Sequence, residues 1–223
     1  TAPEMRAVPT ASKGFMAATN RNPGLAMMRP RRGTLSSPSL MTVIEGSSSM
    51  VPQILFRVCA ASAASGREVI FVDGWNSFDP YAVSRMIKSF CRDRSALSRI
   101  HVARAFTEYQ MEALVIGLDE ALLRWRPSVL AVSYLPSLFS GKDGQRLFEP
   151  VLAHLRSLTA SYRIVTALTS FGGSWYGDRL LSSCASRMIR IEHPSKKRIR
   201  IIDNGHVFEY VPVPQGQTRF TDF

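Results

Sequence analysis

The segment Gly46-Ser47-Ser48-Ser49-Met50-Val51-Pro52-Gln53 has the frame of a phosphate-binding turn, a glycine- and serine-rich stretch between an apolar run and a helical one. Such a turn works when glycines admit phosphates to backbone N–H groups, a Lys reaches the β- and γ-phosphates, and a Ser or Thr holds Mg²⁺. This stretch has neither the Lys nor the following Ser or Thr. That leaves either weak anion binding at a helix N-terminus or a plain strand-to-helix turn. Asp73 ends the apolar run EVIFVD (68–73); with no Lys or metal ligand to pair with, it is expected to accept hydrogen bonds from nearby backbone or hydroxyl donors. Cys59, Cys91 and Cys184 are widely spaced, form no C-x-x-C, and read as small buried hydrophobes in a reducing compartment. His101, His154, His193 and His206 lack the spacing of zinc ligands, and no serine sits in G-x-S-x-G. Asp119 and Glu120 are adjacent on a helical pattern and face apart, so they make no acid/base pair.

Positive charge is the other chemical resource. The 223 residues include 28 Lys plus Arg against 17 Asp plus Glu, a formal net charge of +11. That balance makes a polyanion, above all nucleic acid, the first partner to consider. Two clusters stand out, Arg29, Arg31 and Arg32 near the N-terminus and Lys196, Lys197, Arg198 and Arg200 further on. On a strand, Lys196, Arg198 and Arg200 share one face, either a row that tracks phosphates with steep salt dependence or a solvated sheet surface. With 45% apolar and 20% charged residues the chain is expected to be globular. No apolar run approaches the ~20 residues of a membrane span, and TAPEMRAVPTASKG carries no h-region of a signal peptide.

The elements that must position these residues follow from pattern. Residues 1–40 are proline-broken and basic, with no sustained periodicity, and read as an arm or linker; residues 41–223 read as the core domain. MTVI (41–44) precedes the serine-rich turn, and 52–64 reads as a small-residue helix with Pro52 near its first turn. EVIFVD is a strand buried on both faces. Asp79 caps a helix to Phe90 with Pro80 at its first position. RIHVARA (99–105) is a strand, and Thr107 opens one long helix to Arg124 with Met111, Leu114, Val115, Leu118 and Leu122 on one side. VLAVS (129–133) is a strand, 147–161 a helix, and RIVTALT (163–169) a strand. After Gly177 the pattern gives strands alone, over 186–192, 197–203 and 206–211, with Asn204-Gly205 as a hairpin turn. The alternation predicts an α/β domain with a mainly parallel sheet flanked by helices and a C-terminal antiparallel extension.

VIFVDGWNSFDP followed by RIHVARAFTEYQ resembles the archaeal RadA and eukaryotic strand-exchange recombinases of the RecA superfamily. Asp73, Asn76, Phe78 and Pro80 match the family's Y-I-D-T-E-N-T-F-R-P strand. Ala103, Arg104, Ala105, Phe106 and Gln110 match its Y-A-R-A-F-N-x-x-H-Q junction. VLAVSYLPSLF is similar to the Walker B strand, YRIVTALTSF to the strand ending in V-T-N-Q, and KRIRIID to the R-x-x-R-L-x-D strand. The likeness runs from about Met41 to the C-terminus with short loops deleted. In the arm, Lys13-Gly14-Phe15-Met16-Ala17-Ala18 resembles the G-F-x-x-A linker segment, which implies that Phe15 and Ala18 dock on a neighbouring protomer and add a strand to its sheet.

The resemblance implies a RecA-like fold whose ATPase groups are lost. The phosphate-loop Lys aligns with Val51 or Pro52, the water-polarising Glu with Trp75, the Walker B Asp with Ser133 and the γ-phosphate-sensing Gln with Phe171. Catalysis in this family is positioning plus electrostatics, so these four losses together predict no hydrolysis, and neither ATP nor Mg²⁺ is expected as a cofactor. Gly46, Ser47, Ser48 and Ser49 would then line a degenerate nucleotide site. The family's two DNA-binding loops align with short segments, 140–146 with Lys142 and Arg146, and 172–179, where Trp175, Tyr176 and Arg179 would stack on and clamp a single strand or anchor the loop to the core. The expected function is a non-catalytic recombinase paralogue in homologous recombination and DNA repair, binding a recombinase or paralogue subunit and DNA, in the cytoplasm and nucleoid or the nucleus. Alternatives are a divergent nucleotide hydrolase completed by a partner subunit, or a purely structural RecA-fold subunit.

Overall fold

The computed structural model describes residues 41–195 and 198–211; Phe15, Ala18, Arg29, Arg31, Arg32, Lys196 and Lys197 lie outside them. In chain order the elements are β1 (Met41–Glu45), α1 (Met50–Ala64), β2 (Val69–Asp73), α2 (Pro80–Phe90), a 3-10 turn (Arg94–Arg99) and β3 (Ile100–Arg104). Then come α3 (Glu108–Ile116), α4 (Leu118–Trp125), β4 (Val129–Ser133), a second 3-10 turn (Leu135–Phe139), α5 (Gly144–Tyr162) and β5 (Val165–Ser170). The chain finishes with α6 (Tyr176–Cys184), β6 (Arg187–Ser195), β7 (Arg198–Asp203) and β8 (His206–Tyr210).

The eight strands form one sheet in the order β3-β2-β4-β5-β1-β6-β7-β8. Pairing is parallel from β3 through β6 and antiparallel from β6 through β8. Strand alternation divides the core. Ile70, Val72, Leu130, Val132 and Leu168 pack against α3, α4, α5 and α6 on one face. Val69, Phe71, Val129, Ala131 and Ala167 pack against α1, α2 and the first 3-10 turn on the other. β2 and β4 are buried at every position, which explains their unbroken apolar sequences. A third cluster, with Ile44, Val51, Ile54, Tyr134, Ile189 and Ile191, joins β1, α1 and β6.

Several sequence signals act as expected. Asp79 accepts from the N–H groups of Tyr81 (2.9 Å) and Ala82 (3.1 Å), capping α2 ahead of Pro80. Thr107 accepts from Gln110 N–H (3.2 Å), and the Gln110 side chain accepts in return from Phe106 N–H (2.8 Å), a variant of the capping box. Asn204 and Gly205 both have positive φ, +46° and +84°, as a type I′ hairpin turn requires.

Three expectations need correction. The long helix of 107–124 is two helices, divided at Gly117; its apolar stripe continues across the break. The region after Gly177 is not all strand, because Tyr176–Cys184 forms α6. Only Cys59 of the three cysteines is buried, while Cys91 and Cys184 are half-buried. Among the described residues no helix is long and apolar enough to cross a membrane.

Candidate functional site

In a parallel sheet, residues at the C-terminal strand ends converge on one edge whatever their separation in sequence. Here that edge gathers the β1–α1 turn, the end of β2, the end of β4 and the end of β5. The turn is four residues, Gly46 to Ser49. Gly46 has φ +149°, and a Cβ there would overlap the carbonyl oxygen of Ile191, so only glycine fits between β1 and β6. Its N–H donates to the Ser170 carbonyl (3.0 Å). Ser48 is buried and its hydroxyl accepts from Met50 N–H (3.1 Å); Ser49 makes no side-chain cap. Ser47 is exposed. α1 is already wound at Val51 and Pro52, and Val51 is fully buried in the third apolar cluster. Neither residue presents a cation to the edge.

Asp73 is the polar centre of the edge. Its carboxylate is completely buried and takes six donors. Oδ1 accepts from Ser133 Oγ (2.7 Å), Ser77 N–H (2.9 Å), Ser77 Oγ (3.1 Å) and Trp75 N–H (3.3 Å). Oδ2 accepts from Phe78 N–H (3.0 Å) and from Arg104 Nε (3.2 Å). Burial pushes this carboxyl upward, but the bonds from Phe78, Ser77, Ser133 and Trp75 outweigh it and hold the group below the usual carboxylate range. A carboxylate offers about four lone-pair sites, so this one has no capacity left for a ligand. Ser133 therefore serves the loop: it donates to Asp73 and accepts from Gly74 N–H (3.1 Å). A Cβ on Gly74 would sit 2.6 Å from the Ser133 carbonyl, which fixes glycine where β2 and β4 close together.

Above this polar knot lies an aromatic cluster. Tyr134 and Phe171 stack with centroids 4.1 Å apart and planes 19° off parallel. Trp75 meets Phe171 edge-on at 5.1 Å and lies 6.5 Å from Tyr134. Tyr134 is buried, whereas Trp75 is 53% and Phe171 38% exposed. Tyr134 takes a left-handed backbone (φ +47°), and its N–H donates to Thr169 Oγ1 (2.8 Å). The carboxylates nearest the edge are engaged: Glu45 accepts from Arg190 Nε (3.1 Å), and Asp178 accepts from Ser170 Oγ. The surface of this cluster is apolar and aromatic, suited to contact. Among the described residues, no group of three or more His, Cys, Asp or Glu could hold a metal ion.

The two short loop segments meet beside α5 and α6, at a groove of about 840 Å³ lined by Lys142, Arg146, Glu149, Arg156, Tyr176 and Leu180, among others. Arg146 pairs loosely with Asp143 (3.4 Å), and Arg179 is exposed on the first turn of α6. Trp175 is half-buried, meets Phe148 edge-on at 5.3 Å, and its ring lies where a Cβ on Gly177 would be. These contacts anchor the loop to the core. The Tyr176 hydroxyl donates to Glu149, which raises its pKa. Arg156, in the middle of α5, belongs to the groove but carries no loop signal in the sequence; Tyr134 was equally hidden, as a residue following an apolar strand.

The hairpin row is not a bare cationic stripe. Arg200 lies 3.2 Å from Glu209 and 3.7 Å from Glu192, on the strands to either side, and Arg198 lies 3.8 Å from Glu209. The cross-strand acids neutralise the described part of the row. No protein-family model matches this chain, and comparison with the curated proteins finds no similar sequence.

Proposed function

We propose that the chain is a RecA-fold recombinase paralogue that does not hydrolyse ATP and that acts in homologous recombination and DNA repair by binding a recombinase or paralogue subunit and DNA. One observation carries the reading. The positions that resemblance assigns to the phosphate-loop Lys, the catalytic Glu, the Walker B Asp and the sensor Gln are spread from residue 51 to residue 171. They come together on one sheet edge, and there they hold a buried Val51, an aromatic Trp75–Phe171 contact and a Ser133 bound to Asp73. Convergence is what descent from such an ATPase would require; apolar replacement is what loss of its chemistry would leave.

Two further features support the binding roles. The groove at Lys142, Arg146 and Arg156 places three cations where the two short loops meet, as a contact for a phosphate backbone. The sheet keeps two open edges, β3 and β8, each paired on one side only among the described residues. β3 exposes Val102 (41%), so a strand supplied by a neighbouring subunit would find both backbone groups and apolar surface there, while Phe15 and Ala18 of this chain would anchor on the neighbour's sheet. The test is mixing with a RecA-family recombinase or paralogue from the same source. Phe15→Ala should weaken assembly by about 2 kcal/mol, roughly thirtyfold. Unchanged affinity in that variant removes the docking role, and absence of any such complex removes the proposal.

A further inference from the structure

The layer formed by α1, α2 and the first 3-10 turn carries a basic face that neither cluster read from the sequence contains. On α2, Tyr81, Arg85 and Lys88 follow one another at i, i+4 and i+7, an exposed stripe opposite the buried Val83 and Ile87. Arg92 and Arg94 continue it just beyond the helix, both exposed. Arg57 joins from α1, its guanidinium 4.9 Å from the Phe90 ring centroid. None of these five cations makes an ion pair with a described residue. Asp93 is the acid that falls among them, and it is already taken up by Arg99 (2.9 Å) and by Ser95, whose bonds hold its pKa down at about 2.

We infer that Arg57, Arg85, Lys88, Arg92 and Arg94 form a binding face for the sugar-phosphate backbone of a nucleic acid. The inference rests on the reading of the chain as a DNA-binding protein and adds a second contact surface, on the opposite side of the sheet from the Lys142–Arg156 groove. Charge complementarity names the occupant. Four uncompensated cations lie along and just beyond a helix of 11 residues, roughly 16 Å long, with Arg57 beside them on α1, which is the scale of a few phosphates along one strand. A lipid surface fits less well, because a membrane-lying helix needs its apolar side free to insert. The apolar side of α2 is spent on the core, and what remains outside is Tyr81 and a Phe90 that is 42% exposed with Arg57 over one face of its ring, two separate side chains and not an insertable apolar face. The contacts would read charge and not base sequence.

The experiment is fluorescence anisotropy of the full chain with a labelled duplex of about 30 base pairs and its single strand, at 50 and 200 mM salt. Two variants are compared with the unmodified chain: Arg85→Glu/Lys88→Glu/Arg92→Glu on this face, and Lys142→Glu/Arg146→Glu in the groove. All the substituted side chains are exposed, and thermal melting verifies that both variants fold. The face variant should bind about tenfold or more weakly at 50 mM salt, with a salt slope shallower by about three. Unchanged affinity and slope in the face variant, with loss in the groove variant alone, overturns this inference and leaves the proposed function standing. If the unmodified chain binds neither DNA, both the face and the DNA role of the proposed function fall. Preference of the face for polyglutamate or for phosphatidylserine vesicles over DNA overturns the nucleic-acid assignment.

Discussion

Asp73 shows how a buried carboxylate at a strand end works as a structural acceptor. Replacing it with Asn keeps the shape but turns donor toward donor at Phe78 N–H or Arg104, inside a fully buried pocket. Asp73→Asn should lower stability by about 3 kcal/mol in urea denaturation. The sign of the pH effect follows from its depressed pKa. Its contribution is complete above the unfolded value of about 3.9 and is lost as pH falls through the lower folded value. The variant should therefore show a flatter acid limb of stability than the unmodified chain. Cys59 makes a simpler test: burial raises its thiol to about 12, so a thiol reagent should modify Cys91 and Cys184 in the folded chain and leave Cys59 untouched. Asp73 as an acceptor was legible in the sequence, because an acid ending a buried strand must find donors. Tyr134 was not, since nothing local reports which face a residue beyond a strand end will meet.

At the scale of elements, the sequence reveals periodicity better than it reveals breaks. Met111, Val115, Leu118 and Leu122 form one apolar stripe, so a single helix was the natural expectation. Gly117 divides it while leaving the stripe in register, with φ −76° and ψ −3° that any L-residue can adopt. Gly117→Ala should therefore stabilise the protein by about 0.5–1 kcal/mol, read as a higher Tm. Gly177 has the opposite character. In the sequence it looks like a loop residue; in the fold it makes room for the Trp175 ring, and α6 winds through it. Gly177→Ala should cost about 1–3 kcal/mol through overpacking, with a matching fall in Tm. α6 was missed because its nine residues, with a Gly, an Asp, two Ser and a Cys, carry weak helix propensity, and packing of Leu181 and Trp175 on the core overrides it.

For the whole molecule, the alternation of strands and helices was enough to foresee a mainly parallel sheet with an antiparallel extension, and the sheet is built that way. Charge distribution was only partly legible. The hairpin cations at Arg198 and Arg200 face Glu192 and Glu209, partners supplied by register. The uncompensated cations of α2 emerge only when the helix is seen with its apolar side buried and its other side bare. The C-terminal edge of the parallel strands holds a polar knot at Asp73 under an aromatic cluster, while basic surfaces lie on both sides of the sheet. Titration calorimetry of the full chain with Mg–ATP, alone and mixed with the RecA-family partner that the proposed function assigns, combined with phosphate release in the same samples, tests the proposed function most directly. The proposed function predicts no submillimolar binding and no turnover in either mixture; submillimolar binding, or phosphate release that exceeds the partner's own, would contradict it.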